Sequence, residues 1–136
     1  MKAEIKWLGG MAFEAATGSG HTLVMDGSPD LGGENRGARP MELLLAGLAG
    51  CSGLDVVHIL RKGRHTVSDC RVSVTADRAE TPPQVFTRIH LHFAVGGEGL
   101  TDAQVERAIK LSAEKYCSAS IMLGQTAEIT HDFSLV

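Results

Sequence analysis

The chain is predicted to fold as a single α+β domain over residues 1–136, and three observations predict it. Short segments of alternating apolar and polar residues, joined by glycine turns, open the chain. A long apolar stretch introduced by Pro40 follows them. Further alternating segments are then interleaved with two shorter helical patterns. Hairpins mixed with helices in this way indicate α+β rather than a doubly wound parallel sheet.

In residues 2–7, Ala3, Ile5 and Trp7 alternate with Lys2, Glu4 and Lys6, the pattern of a half-buried strand. Gly9-Gly10 turns the chain, and Met11, Phe13 and Ala15 continue the alternation in a second strand. Gly18-Ser19-Gly20 turns it again into a third strand, His21–Asp26, so the start is an antiparallel meander. Residues 27–39 carry four glycines and a proline and read as a long loop, a kind of segment often used for function. Pro40 suits the first position of a helix, where its missing N–H costs nothing. That helix is predicted to run to Lys62 and stop at Gly63. Its first half, Leu43–Gly50, is apolar all round, which calls for burial on every side. Gly47, Gly50 and Gly53 weaken it by ~1 kcal/mol each relative to alanine, which is understandable if another backbone approaches closely there.

A fourth strand is predicted over Thr66–Ala76, with Cys70, Val72, Val74 and Ala76 on one face, and Thr81-Pro82-Pro83 breaks the chain after it. A fifth, Val85–Val95, puts Val85, Thr87, Ile89, Leu91, Phe93 and Val95 inward and ends at Gly96-Gly97. Thr101 and Gln104 have the spacing of a capping box that starts a second helix reaching Tyr116. A short third helix, Ser118–Leu123, stops at Gly124, and a last strand covers Thr126–Phe133. The order is β-β-β-α-β-β-α-α-β.

Bulk properties exclude several functions. Net charge is −3 with no run of Lys or Arg, so no nucleic-acid partner is expected. The N-terminus MKAEIKWLGG has no apolar core of a signal peptide. The most apolar window, Met41–Leu60, contains Glu42, Asp55 and His58, each costly at membrane depth, so it reads as a core helix and not a span. A cytoplasmic location is expected, with Cys51, Cys70 and Cys117 reduced at rest. The odd cysteine count argues against a disulfide framework. The spacings CxxC and HExxH are absent, so no metal and no cofactor are expected.

Cys51 lies mid-helix in LAGLAGCSGLD and is either a small buried hydrophobe or a reactive thiol. Cys117 follows Tyr116 at a helix junction, where N–H groups favour the thiolate. Cys70 alternates with Val72 and Val74 and reads as core. Asp55 and His58 share a helix face with Cys51, but seven residues span ~10.5 Å of helix rise, too far for His58 to serve Cys51 as a base. A charged Asp55 one turn away would raise the Cys51 pKa. His90 and His92 share a strand face, with no carboxylate or cysteine at a supporting spacing, and read as a polar exposed face. The glycines of residues 27–37 do not match a phosphate loop.

Pro40, Glu42, Leu43, Leu44, Ala46 and Cys51 form the pattern P-x-E-L-L-x-A-x-x-x-x-C, and Cys117 follows in CSAS after a hairpin and a helix. This arrangement resembles the OsmC/Ohr family, named for osmotically inducible and organic hydroperoxide resistance proteins. The stretch CSGLDVVHILRK is similar to an uncharacterised branch of it. The resemblance implies an intertwined homodimer, with the long helix buried at its centre and active sites at the interface. It implies that Cys51 attacks an organic hydroperoxide to become a sulfenic acid and that Cys117 condenses with it to a disulfide. A dithiol reductant, lipoyl-type in some members, would then reset the pair. Active members carry a glutamate after the helix-starting proline, where this chain has Met41; Glu42, which faces ~100° away, is the candidate supporting residue. They also place an arginine over the cysteine, and here Arg39 and Arg36 are the candidates, reaching Cys51 only across a dimer.

Three functions compete at this point. The first is a thiol peroxidase acting on organic hydroperoxides. The second is a protein that binds or senses a small apolar ligand with little peroxidase activity. The third is acyl transfer on Cys51, which needs a histidine that the spacing does not supply.

Overall fold

The computed structural model describes all 136 residues, in the order β1 (Ala3–Gly9), β2 (Ala12–Thr17), β3 (Thr22–Asp26), α1 (Pro40–Lys62), β4 (Asp69–Arg78), β5 (Phe86–Gly96), α2 (Asp102–Leu111), α3 (Ser118–Leu123) and β6 (Glu128–Leu135). This is the predicted α+β order. The chain divides into two compact units, Met1–Leu45 and Ala46–Val136, with the boundary inside α1.

In the first unit, β1, β2 and β3 form the expected antiparallel meander. Gly9 and Gly10 take positive φ at the first turn, which a side chain at either position would resist. The faces differ from the expectation. Ile5 and Trp7 are 51% and 62% exposed, Met11 and Phe13 are exposed too, and only Ala12 and Ala15 are buried along β2. The loop after β3 contains one 3-10 turn, Pro29–Leu31, and is knit by the buried Asp26. The Asp26 carboxylate accepts N–H bonds from Gly27 (2.8 Å), Glu34 (3.0 Å) and Arg36 (3.1 Å). Those from Arg36 and Glu34 hold its carboxyl below the usual range.

Helix α1 has the predicted limits, Pro40 to Lys62. Glu42 caps its start by accepting the Arg39 N–H at 2.9 Å. Within one chain the helix is buried along one side, and the burial expected at the centre of a homodimer involves a second chain. Leu48, Ala49, Ser52, Val56 and Leu60 are buried, while Leu44 (48% exposed), Gly47, Gly50 and Leu54 (74% exposed) form an open stripe. A Cβ at Gly47 or Gly50 would meet nothing within 4 Å, whereas at Gly53 it would press Val72. The close approach expected at the first two glycines therefore does not come from this chain. By length and composition α1 could cross a membrane, as core helices of soluble folds also can.

In the second unit the sheet order is β4-β5-β6, with β4 and β5 antiparallel and β6 parallel to β5. Its inner face carries Ile89, Leu91, Phe93 and Val95, all buried as predicted. The start of β5 is out of phase with the prediction: Phe86 is buried, while Val85 and Thr87 are exposed. A register shift between Asp77 and Arg78 accounts for it, because an extra residue flips every side chain before it to the other face. Thr101 and Gln104 make both bonds of the capping box. Helix α2 ends at Leu111, and a π-helical turn, Ser112–Tyr116, carries the chain on to Cys117.

Candidate functional site

Two helices and the π-helical turn build the site. Helix α1 places Cys51, Ser52 and Asp55 on neighbouring turns of one side. The widened turn before Cys117 breaks the run of α2, and Cys117 leaves it with extended backbone (φ −72°, ψ 101°). That conformation makes Cys117 the N-cap of α3, where its sulfur meets the free N–H groups of the first turn.

The Cys117 Sγ accepts the Ser120 N–H at 3.4 Å and lies 3.3 Å from Ser52 Oγ. Ser52 Oγ is also 3.5 Å from Ser120 Oγ. The Cys51 sulfur lies within 4.8 Å of the Cys117 sulfur. Asp55 accepts a hydrogen bond from Ser112 Oγ at 3.0 Å. The two sulfurs and the Asp55 carboxylate all lie within 4.8 Å of one another. Cys117 is fully buried and Ser52, Ser112 and Ser120 nearly so, whereas Cys51 is partly exposed.

These contacts split the two thiols. The Ala119 N–H lowers Cys51, but burial, the hydrogen bond and charge of Cys117, and the Asp55 charge outweigh it, so Cys51 stands above the ordinary thiol range. Burial raises Cys117, but hydrogen bonds from Ser120 and Ser52, the Ser120 N–H and the Cys51 thiol outweigh that, and Cys117 stands below the range. Of the pair, the buried Cys117 is thus the more acidic sulfur and the accessible Cys51 the less acidic.

The structure brings together the predicted Cys51 and Cys117. Arg39, Arg36 and Glu42 are engaged within their own segment: the Arg39 guanidinium donates to Gly37 O (2.9 Å) and Asn35 Oδ1 (3.2 Å). Cys70 faces inward opposite Val95, and burial, then the charge of Asp69, pushes its thiol up. His90 and His92 do share an outer face, but with a carboxylate: Asp132 on β6 lies 3.1 Å from His90 Nε2 and 2.6 Å from His92 Nδ1. Parallel pairing of β5 and β6 brings it there from 40 residues away, beyond any local spacing. Ser52, Ser112 and Ser120 carried no sequence signal.

Beside the thiols, Asp55 also lines a cavity of about 540 Å³ between the C-terminal half of α1 and α2. Ile59, Leu60 and Leu111 give it an apolar wall, and His58, Lys62 and Arg107 give it basic groups.

Residues 32–132 match the sequence profile of the OsmC-like protein family. Protein YhfA of Escherichia coli K12 is 46% identical over 136 residues, covering 100% of this chain and 98% of the relative. A solved structure of a protein from Aquifex aeolicus VF5 superposes with a TM-score of 0.83 at 29% identity, over 99% of this chain and 96% of that one. An organic hydroperoxide resistance protein OsmC from Legionella pneumophila shares the fold, with a TM-score of 0.76 at 22% identity, over 98% and 95% of the two chains. With the family profile spanning most of its length and a full-length relative at 46% identity, the chain belongs to the OsmC-like family.

Proposed function

We propose that this protein is a cysteine-based thiol peroxidase that reduces organic hydroperoxides, with Cys51 as the attacked thiol and Cys117 as its resolving partner. The observation that carries the reading is the pairing of an accessible sulfur with a buried one within 4.8 Å of it. Solved family members described as organic hydroperoxide resistance proteins support it at the level of the fold.

The chemistry follows from where the proton sits. The Cys51 proton passes to the Cys117 thiolate, whose sulfur lies within 4.8 Å, which frees the exposed thiolate. Cys51 Sγ attacks the outer oxygen of ROOH and the O–O bond breaks. Cys117 returns the proton to the leaving alkoxide, giving ROH and Cys51 sulfenic acid. Cys117 is then a thiolate beside an S–OH group, and its attack closes the disulfide and expels hydroxide, which leaves to solvent and is protonated by buffer acid. An external dithiol, a lipoyl-type one included, reduces the disulfide by exchange. Protonation of the leaving oxygen is the step that limits such a reaction, and a partner chain's Arg39 or Arg36 would assist it. The open α1 stripe around Gly47, Gly50 and Leu54 supports pairing of two chains. Stopped-flow mixing of reduced protein with an alkyl hydroperoxide and with hydrogen peroxide tests the activity. The alkyl substrate is expected to react faster, and reaction with neither defeats the proposal. Sedimentation at micromolar concentration is expected to give a dimer, and a stable monomer contradicts the pairing.

The cavity favours a second reading, a binding protein for a small amphiphile with an acidic head and an apolar tail. It predicts saturable binding of a medium-chain fatty acid to the Cys51→Ser variant, with no turnover by the wild-type protein.

A further inference from the structure

The thiol cluster has an electrostatic feature that peroxide chemistry does not use. Cys51, Cys117 and Asp55 are all groups that become anionic, and they converge within 4.8 Å. The ion pairs of the chain are Arg88 with Asp77 and Asp132 with His90 and His92, so no basic side chain neutralises Asp55. Ser112 occupies only Oδ2 of that carboxylate, which leaves Oδ1 free. A carboxylate beside two sulfurs works against a thiolate, yet the Ser112 bond holds it there. A cation between the three groups resolves the conflict.

We infer that the reduced protein binds one zinc ion, or a similar borderline-soft divalent cation, through Cys51 Sγ, Cys117 Sγ and the Asp55 carboxylate. Two thiolates and one carboxylate suit zinc, which takes sulfur at ~2.3 Å and carboxylate oxygen at ~2.0–2.2 Å. A tetrahedral ion with those bonds has ligand-to-ligand edges of roughly 3.5–3.8 Å. Small side-chain shifts bring groups within 4.8 Å to that spacing. Three protein ligands leave a fourth position for water or a small ligand. The Ser120 N–H already donates to Cys117 Sγ, the kind of outer support that fixes a metal ligand. Binding displaces the Cys51 proton, and that of Cys117 where it is still present, and leaves the set with one net negative charge. Local spacing hid this donor set, because its cysteines are 117 − 51 = 66 residues apart and meet only in the fold.

The inference stands apart from the peroxidase reading, although zinc and hydroperoxide would compete for the same sulfurs. The test uses full-length reduced protein and zinc chloride, with free zinc set by a chromophoric chelator. One zinc per chain is expected, and zinc should block alkylation of Cys51 and Cys117 while leaving Cys70 reactive on unfolding. Cobalt(II) should give the visible bands of a tetrahedral thiolate site. Cys70→Ser should bind as the wild type does. Cys51→Ser, Cys117→Ser and Asp55→Asn should each weaken binding by at least ~10–100-fold, with circular dichroism confirming that the variants are folded. The inference is overturned by an absence of stoichiometric zinc, by cysteines alkylated equally with and without zinc, or by folded Asp55→Asn binding unchanged. Zinc binding without peroxide reactivity would sink the function proposed above and leave this site standing; reactivity without zinc binding would do the reverse.

Discussion

Ser52 Oγ and Cys117 Sγ lie 3.3 Å apart, although 65 residues separate them in sequence. Ser52 directly follows Cys51, so this one contact sets the register of α1 against the start of α3 and brings the two cysteines together. It also gives the Cys117 thiolate a hydroxyl donor. Hydrogen bonds to charged groups contribute ~1.5–3 kcal/mol. Ser52→Ala should therefore slow disulfide closure on the order of tenfold, with the Cys51 sulfenic acid lasting longer before a trapping reagent. Closure at the wild-type rate would mean that Ser52 only fills space.

The split between the thiols predicts a two-step ionisation. Cys117, held low by Ser120 and Ser52 against its burial, should lose its proton first, below the range of an ordinary thiol. Cys51, raised by its burial, the Cys117 charge and Asp55 against the Ala119 N–H, should follow above it. Thiolate absorbance of a Cys70→Ser background, followed against pH, should show both steps. Cys117→Ser should remove the lower one. Asp55→Asn should move the upper one down, since it deletes a neighbouring negative charge. A single step for two thiols would show that they do not interact.

Cys70 belongs to the packing of β4 against β5, opposite Val95. Cys70→Ala should leave peroxide reactivity intact and cost ~1 kcal/mol or more of stability through the space left behind. Chemical denaturation and a peroxide assay on the same sample check both halves. Lost activity at unchanged stability would assign Cys70 a chemical role.

The proposed donor to the leaving oxygen, a partner chain's arginine, has its own test. Arg39→Ala or Arg36→Ala should slow Cys51 oxidation ~100-fold, the scale of losing one transition-state hydrogen bond. Wild-type rates in both variants would remove the arginines from the mechanism and favour the binding reading.

Sequence punctuation made the helices legible. Proline at the start of α1, the Thr101–Gln104 box and Gly124 after α3 are local signals, and the limits of α1 and α3 agree to the residue. Strand phase was legible only where pairing is regular. Ile89 to Val95 face inward as predicted, but the irregularity at Asp77–Arg78 reverses the start of β5. Apolar composition says that the surface of α1 is to be covered, without saying by which chain, and one chain covers only one side of it. The cysteine pair was visible through the family pattern. Its hydroxyl and carboxylate neighbours were not, because Ser52, Ser112 and Ser120 are ordinary residues until three segments meet. Asp132 beside His90 and His92 was hidden for the same reason.

The central claim is that Cys51 and Cys117 are a working redox pair. Its most direct test is mass spectrometry of fully reduced protein after one equivalent of an alkyl hydroperoxide, digested under conditions that preserve disulfides. The account predicts a Cys51–Cys117 disulfide within one chain, Cys70 still free, and a sulfenic acid on Cys51 when Cys117 is changed to serine. Peroxide consumed with both thiols left free, or a disulfide through Cys70, would contradict it.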